Sequence, residues 1–495
     1  MADHAQLAEH VIAPRGQGRL AESPHAGAAG GAACGDLVRV AVRIQDDRIV
    51  EAGFAASGCA AARAAGSATV ELVEGEPFLA AARTTADDIT AELGGLSPAA
   101  RHAAELAADA LHRALGAAAR DGAPRLAPDP NRTLVAMSGG VDSAVAAQLA
   151  LDAGHDVIAV TLELWAHPDH DGDRSCCSPQ AVSGARSLAH RLGIPHVSLD
   201  LRDAFKQEVV NDFVSEHAAG RTPNPCVRCN GLVRFDRMLA LADNLGAARL
   251  ATGHYARIEH DDDGPLLSAA ADPRKDQTYM LARLKPDELA RLWFPLGEYE
   301  KPEVRDVARA AALPVAEKPE SQDLCFLAGL DRNRLLEPSE PGEIVDVQGR
   351  VLGRHEGQQG FTVGQRRGLR LAAPTPLYVL HKDARSGRVT VGPREALATT
   401  RVHIQPARLL RPGAKVDRVK LRYRSAPVRC RVQGDPPAGE HDRLVIELDT
   451  PVDGAAPGQT ACLMWNESVV GWGTITQPDQ PPAAAGAPME AANAA

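Results

Sequence analysis

The sequence predicts an α/β protein: a parallel-sheet domain preceded by an α+β region and followed by smaller β-rich domains. Three observations carry this. Between Arg132 and about Leu330, strand-length apolar runs alternate with helical patterns; TLVAM (Thr133–Met137), DVIAVTLEL (Asp156–Leu164) and ARLATG (Ala248–Gly253) are the strand candidates. Such alternation is the signature of parallel strands joined by helices. The first run leads into SGGVDS (Ser138–Ser143) and then an amphipathic helical pattern. Beyond about residue 335 the rhythm changes to short runs broken by turns, such as GEIVDVQGRVLG and VKLRYRSAPVRCRVQG, which read as small β domains.

The elements follow in order. Residues 1–120 carry alternating β-type runs (LVRVAVRIQDDRIVEAGFAA) and then alanine-rich helical stretches ending AAELAADALHRALGAAAR. Residues 121–131, DGAPRLAPDPN, are punctuated by proline and glycine and read as a linker. Removal of the region before it is therefore expected to leave a soluble protein. The sheet domain is expected over 132–334, a β-rich domain over 335–397 and a second over 398–476. The tail from 477 to 495 is rich in proline and alanine and is expected to be disordered.

Composition narrows the class. Apolar residues make up 44% and charged residues 24% of the 495, as in ordinary globular proteins. There is no run of about 18 uncharged apolar residues, so no membrane span is expected. The opening MADHAQLAEHVIAPRG lacks the basic and apolar regions of a secretory signal, and a cytoplasmic location is the expectation. Nine cysteines in so long a chain are not a disulfide scaffold, and in that compartment they are more often catalytic or metal-binding. A net charge of −10 argues against a uniformly basic nucleic-acid binder. The charge is uneven, however: Phe361 to Cys430 holds 16 Lys/Arg against 3 Asp/Glu. Such a stripe is either a solvated face or a surface for phosphate backbone.

SGGVDS is the most informative line. Gly139 and Gly140 let backbone amides approach an anion, and a following helix N-terminus adds unpaired N–H groups and a favourable dipole. Ser138 and Ser143 offer hydroxyl donors. No G-K-[ST] follows, so this is not a Walker A loop. It resembles the pyrophosphate loop of the ATP-pyrophosphatase superfamily (adenine nucleotide alpha hydrolase-like), whose members adenylate an oxygen and release pyrophosphate. The plain alternative is a tight strand-to-helix turn with chance glycines.

RTPNPCVRCNG (Arg221–Gly231) raises a separate question, since Cys226 and Cys229 form a C-x-x-C. By itself that is half a zinc site, a redox pair or part of an iron–sulfur site. Downstream come ATGHYAR (Ala251–Arg257), KDQTYML (Lys275–Leu281), ESQDLCFLAG (Glu320–Gly329) and GFTVGQRRGL (Gly360–Leu369). With SGGVDS in front, this ordered set closely resembles the bacterial tRNA-specific 2-thiouridylase family over about Arg132 to Gln477. The resemblance implies ATP-dependent replacement of the uridine C2 oxygen by sulfur, with Mg2+ beside Asp142, and a C-terminal β-barrel for tRNA.

The resemblance also implies site residues. Ala136, Met137, Ser138, Gly139, Gly140, Val141, Asp142 and Ser143 form the nucleotide loop, with Leu162 and Gly253 beside it. Asn224, Pro225 and Cys226 face the target base; His254, Lys275, Asp276, Gln277, Arg422, Tyr423 and Gln459 contact tRNA. Cys325 carries a persulfide and Cys229 is the partner that closes a disulfide with it. Cys226 departs from the family, many of whose members have aspartate there. That departure keeps a second route open, in which Cys226, Cys229 and Cys325 hold an iron–sulfur cluster whose open iron delivers sulfide. Cys176 and Cys177 are either a sulfur relay or bystanders.

In the first 120 residues, GAACGDLVRVAV (Gly31–Val42), FAASGCAAARAAGS (Phe54–Ser67) and LSPAARHAAELAADAL (Leu96–Leu111) resemble the NifU-like N-terminal iron–sulfur assembly scaffold family. Cys34, Asp36 and Cys59 match its ligand positions and His102 the histidine beside its third cysteine, which is Ala103 here. The implied partner is a cysteine desulfurase or a sulfur-relay protein. Two other classes stay open on the sequence: another adenylating ligase, which needs neither Cys229 nor Cys325, and an iron–sulfur carrier with a degenerate ATPase.

Overall fold

A computed structural model describes residues 4–31, 35–165, 178–319, 335–336 and 340–477. The chain divides into two compact units. One comprises residues 4–209, Arg228–Thr278 and 284–319; the other comprises Val210–Val227, Tyr279–Arg283 and 335–477.

The first unit begins with helix His4–Ile12 and an antiparallel meander of β1 (Ala26–Gly30), β2 (Leu37–Gln45) and β3 (Arg48–Ser57). Val38, Val40 and Val42 point inward while Leu37 and Arg43 are exposed, the period-2 pattern of a one-sided sheet. Helices Ala60–Val73 and Arg101–Arg120 cover the inner face, and Ala86–Glu92 packs against both of them. Small residues permit close packing: a Cβ on Gly27 would lie 2.3 Å from Ala110 O.

The second layer of this unit is a five-stranded parallel sheet. Its strands are β4 (Asp129–Ala136), β5 (Asp156–Glu163), β6 (His196–Asp200) and β7 (Ala247–Thr252), then, after a β8–β9 hairpin (Arg257–Asp261, Gly264–Ser268), β10 (Leu292–Trp293). The order is β10-β7-β4-β5-β6. Helices Val141–Asp152, Pro179–Arg191 and Lys301–Ala310 pack around a core that includes Val135, Val145, Ala159 and Val304. The three strand candidates are β4, β5 and β7. β6 and β10 are too short to have stood out, and β4 starts at Asp129, inside the stretch read as the linker.

β6 is the outer strand of this sheet, yet it is covered. Helix Arg101–Arg120 of the N-terminal region lies across it, close enough that a Cβ on Gly116 would fall 1.8 Å from Ser198 O. His196 N donates to Ala82 O (2.8 Å), and His112 sits between His196 O (2.8 Å) and Thr84 O (2.9 Å). Arg113 pairs with Glu163 and Arg186 with Asp109, both at 2.7 Å. The expectation that the N-terminal region is removable meets this interface: deletion would bare His196 and Ser198, both buried here. Gly116→Leu is expected to lower stability by at least about 2 kcal/mol, because backbone lies where the side chain would go. Denaturant melts of the full chain check this, and an unchanged midpoint would refute tight docking.

The second unit holds a four-stranded sheet of β11 (Gly342–Val345), β12 (Val351–His355), β13 (Tyr378–Asp383) and β14 (Arg388–Gly392), ordered β12-β11-β14-β13. A barrel follows: β15 (Ala398–Leu409), β16 (Arg418–Lys420), β17 (Val428–Val432), β18 (Gly439–His441), β19 (Leu444–Asp453), β20 (Thr460–Trp465) and β21 (Ser468–Thr476). Six of these strands close in the order β15-β19-β17-β16-β20-β21, with β21 pairing back onto β15. Among the described residues no helix is long and apolar enough to cross a membrane.

Candidate functional site

The strand-loop-helix order expected of SGGVDS is present. Gly139 has φ +71°, and a Cβ there would sit 3.0 Å from Ala181 O, so glycine is favoured on both counts. The helix starts at Val141 with Gly140 as its cap, which brings no side chain to the first amides. Those amides are left for an anion or water. Ser143 turns its hydroxyl into the loop and braces it, whereas Ser138 is exposed and takes part through its backbone N–H. Ser143 Oγ accepts from Ser138 N (3.1 Å) and donates to Gly140 O (3.0 Å). Met137 N donates to Val160 O, tying Ala136 and Met137 to β5, where Leu162 is half-buried. Gly253 lets the end of β7 meet the helix start, since a Cβ would lie 2.7 Å from Ser143 N.

Asp142 is the charged centre of the loop. Lys301 Nζ lies 2.6 and 2.8 Å from its two carboxylate oxygens, and Tyr255 Oη donates to it at 2.8 Å. Lys301 is only 8% exposed, so this cation is built in. Lys318 Nζ donates to Gly139 O at 2.8 Å. Neither lysine nor Tyr255 was singled out in the sequence; they come from other segments, and local patterning carries no sign of them. Gln277 Oε1 accepts from Tyr255 N and Gln277 N donates to Tyr255 O, both at 2.9 Å, so the KDQ segment holds the tyrosine that touches Asp142. Asp276 accepts from Thr278 Oγ1, and Lys275 is half-buried. His254 sits between Phe235 and Phe294, its Nδ1 2.7 Å from Thr252 Oγ1. Burial first, then the Arg234 guanidinium, pushes its imidazole down to about 3. At neutral pH the ring is therefore uncharged.

The C-x-x-C lies on one turn of helix, Pro225–Cys229. Asn224 Oδ1 accepts from Cys226 N (3.1 Å) and Val227 N (3.2 Å), the geometry of an N-cap. Cys226 is half-buried and Cys229 is buried. A widened π-type turn, Asn230–Arg234, follows, a form frequent at functional sites. Cys325, Cys176 and Cys177 lie outside the described residues.

In the second unit, the barrel anchors the segment before this helix. Gln459 Nε2 donates to Thr222 O at 2.7 Å, and Thr222 N donates to Pro457 O at 2.7 Å. Arg422 is exposed, with Nη2 donating to Gly454 O at 3.1 Å. The half-buried Tyr423 ring lies 6.4 Å from that of Tyr279, whose hydroxyl donates to Thr460 O.

The N-terminal region brings three expected ligands together: donor atoms of Asp36, Cys59 and His102 all lie within 4.8 Å of one another. Asp36 Oδ1 accepts from Cys59 N (2.7 Å); Oδ2 meets Cys59 Sγ (3.0 Å) and His102 Nε2 (2.8 Å). A Cβ on Gly58 (φ +107°) would collide with the Asp36 carboxylate at 2.0 Å. The Cys59 thiol and then His102 hold the Asp36 carboxyl down to about 2. Burial, then the Asp36 carboxylate, raises the Cys59 thiol, and the same carboxylate raises His102. One carboxylate, one sulfur and one imidazole at this spacing suit zinc or iron. Cys34 lies outside the described residues, and Ala103 is fully buried.

The parallel sheet, the glycine loop and the appended barrel define a nucleotide-binding α/β enzyme with a scaffold-like module docked on its outer strand. Comparison with known proteins finds four family models along the chain. Residues 131–329 match the tRNA methyl transferase HUP domain family, 333–393 its PRC-barrel domain, 411–475 the aminomethyltransferase β-barrel domain and 2–120 the NifU-like N-terminal domain. A bifunctional NifU/MnmA protein of Rubrobacter xylanophilus is 46% identical over 490 residues, 96% of this chain and 98% of that protein. The tRNA-specific 2-thiouridylase MnmA of Rhodospirillum centenum is 42% identical over 382 residues, 74% of this chain and 96% of that one. The chain belongs to the tRNA-specific 2-thiouridylase (MnmA) family, in the form that carries a NifU-like domain at its N-terminus.

Proposed function

We propose that this protein replaces the C2 oxygen of the tRNA wobble uridine by sulfur, using ATP. The observation that carries the reading is the glycine loop with its braced carboxylate, in a chain 46% identical to a NifU/MnmA protein along nearly its whole length. The uridine O2 attacks the α-phosphorus of ATP and pyrophosphate leaves with the electron pair of the broken P–O bond. Asp142 is the residue that would hold Mg2+, which would supply charge neutralisation at the phosphates. The terminal sulfur of a Cys325 persulfide then attacks C2, and AMP departs. Cys229 thiolate attacks the Cys325 sulfur, forming a disulfide and leaving sulfur on the base; a thiol reductant resets the pair. Nucleoside mass spectrometry of tRNA from a strain lacking the gene, with and without the gene restored, tests this. Unchanged 2-thiouridine after deletion overturns it.

A second route is favoured by one observation: the departing residue Cys226 lies one helical turn from Cys229. With Cys325 these thiolates would supply three ligands of an iron–sulfur cluster, whose chemistry would be delivery of sulfide from the open iron. Cys226→Ser separates the routes. Retained activity in air supports the persulfide; joint loss of iron and activity in anaerobic protein supports the cluster.

For RNA, Arg422 and Tyr423 supply a guanidinium and a ring beside the segment of Asn224, Pro225 and Cys226, anchored by Gln459. Arg422→Ala is expected to weaken tRNA binding and reduce its salt slope by roughly one phosphate contact. Binding titrations at several salt concentrations check this, and an unchanged slope removes Arg422 from the interface.

In the N-terminal module, Asp36, Cys59 and His102, with Cys34, are the residues that would hold zinc or iron, and a cysteine desulfurase or a sulfur-relay protein is the partner. A metal must displace the Cys59 proton, and that thiol is raised above its ordinary value. Zinc affinity is therefore expected to rise with pH across the neutral range and to fall on acidification, where His102 also protonates. Competition with a chromophoric chelator between pH 6 and 9 (about one order in affinity per pH unit while one proton is displaced) reads this directly. A flat profile would exclude Cys59 as a ligand.

A further inference from the structure

Lys301 faces two ways. Its ammonium is bonded to Asp142 at the start of the loop helix, and its side chain also lines a cleft of about 500 Å3. The other cations of that cleft are Arg274, Lys275, Arg305 and Arg309, set against two carboxylates, Asp272 and Asp306. Both carboxylates have partners. Asp272, 1% exposed, accepts from Arg274 N (2.9 Å) and Lys301 N (3.2 Å), and Asp306 pairs with Arg309 at 2.6 Å. Arg305 is fixed by donation to Ala316 O and Lys318 O, and Lys318 in turn bonds Gly139 O. A cation-lined hollow thus runs along helix Lys301–Ala310 and is joined to the glycine loop through the Lys301–Asp142 contact. Its volume suits a small polyanion better than a run of nucleotides.

We infer that this cleft receives the inorganic pyrophosphate released in the adenylation step, with Lys301 as the cation shared between loop and cleft. The inference rests on the adenylation reading above. When the bond between the α-phosphorus and the bridging oxygen breaks, the electron pair stays on pyrophosphate, whose negative charge rises. Preorganised cations beside the loop stabilise that charge as it develops, without reorganisation cost. Arg274, whose side chain is 76% exposed, completes the outer end and can change without disturbing the fold.

The test is calorimetric titration of inorganic pyrophosphate, with Mg2+, into the nucleotide-free full-length protein. Arg274→Ala and Lys301→Met are each expected to weaken pyrophosphate binding by about tenfold or more, the loss of one charge-assisted contact. The tRNA affinity and its salt slope should stay at the wild-type values in Arg274→Ala. If Lys301→Met does not fold, Arg274→Ala alone decides. Unchanged pyrophosphate binding in Arg274→Ala overturns the inference. So does a lowered tRNA salt slope with unaltered pyrophosphate binding, which would make the cleft a backbone-phosphate site. If pyrophosphate binds and the variants weaken it, but wild type makes none from ATP and tRNA, the adenylation reading fails while the cleft stands.

Discussion

Asp142→Asn is expected to lower pyrophosphate release from ATP and tRNA by on the order of 10² to 10³ while leaving tRNA bound. The substitution keeps the shape of the side chain and removes its charge. In the proposed reaction that charge would hold Mg2+, and Lys301 and Tyr255 orient it. One complication follows from burial. Lys301, 8% exposed, loses its counter-charge in the variant; with Asp142 itself a third exposed, the cost is expected below the about 3–5 kcal/mol of breaking a fully buried pair. Asp142→Asn combined with Lys301→Met removes both charges and is expected to recover stability without recovering chemistry. Thermal melts alongside pyrophosphate release separate the two effects. A single variant that releases pyrophosphate at the wild-type rate would show that Asp142 plays no part in the step.

Cys229→Ser is expected to reduce thiolation to background with adenylation intact. A hydroxyl in place of the thiolate neither closes a disulfide nor ligates iron, so the persulfide and cluster routes agree here. The residue is buried, and Ser is close to Cys in size, so folding is expected to survive. Single-turnover assays that follow both AMP formation and 2-thiouridine give the readout. Thiolation at the wild-type rate would remove Cys229 from both routes.

The parts of the fold set by local pattern were legible. The strand entering SGGVDS and the turn-rich barrel announce themselves within a few residues, through apolar runs, glycine and turns, whereas the helix after the loop, expected to be amphipathic, is buried on most of its faces. Gly139 is where it is because φ is positive there, a demand a sequence can display. What brings Lys301 to Asp142 is different in kind. The two are 159 residues apart, and their contact depends on how helix Lys301–Ala310 packs against helix Val141–Asp152. Ser138 and Ser143 read alike in the sequence as hydroxyl donors, but only the fold distinguishes them: Ser143 Oγ is turned into the loop, while Ser138 is exposed. Likewise, the docking of Gly116 on Ser198 was invisible, since an alanine-rich helix carries no sign of which strand it will cover. His102 and Asp36 were legible as candidates only through the family pattern, and their meeting at 2.8 Å is a tertiary fact.

The helix that lies across β6 has a consequence for synthesis on the ribosome. Its packing partner is encoded about 80 residues later, roughly 4–16 s of elongation at ordinary bacterial speed. Throughout that interval the helix has emerged, or is emerging, with His112 and Gly116 lacking the strand they pack against and only its own region to cover the rest. The nascent module must therefore wait, partly uncovered, for His196 to Asp200 to arrive. A stall or rare-codon cluster placed between the segments encoding Arg120 and His196 would lengthen the wait and raise chaperone demand. The same pause placed after Asp200 would not.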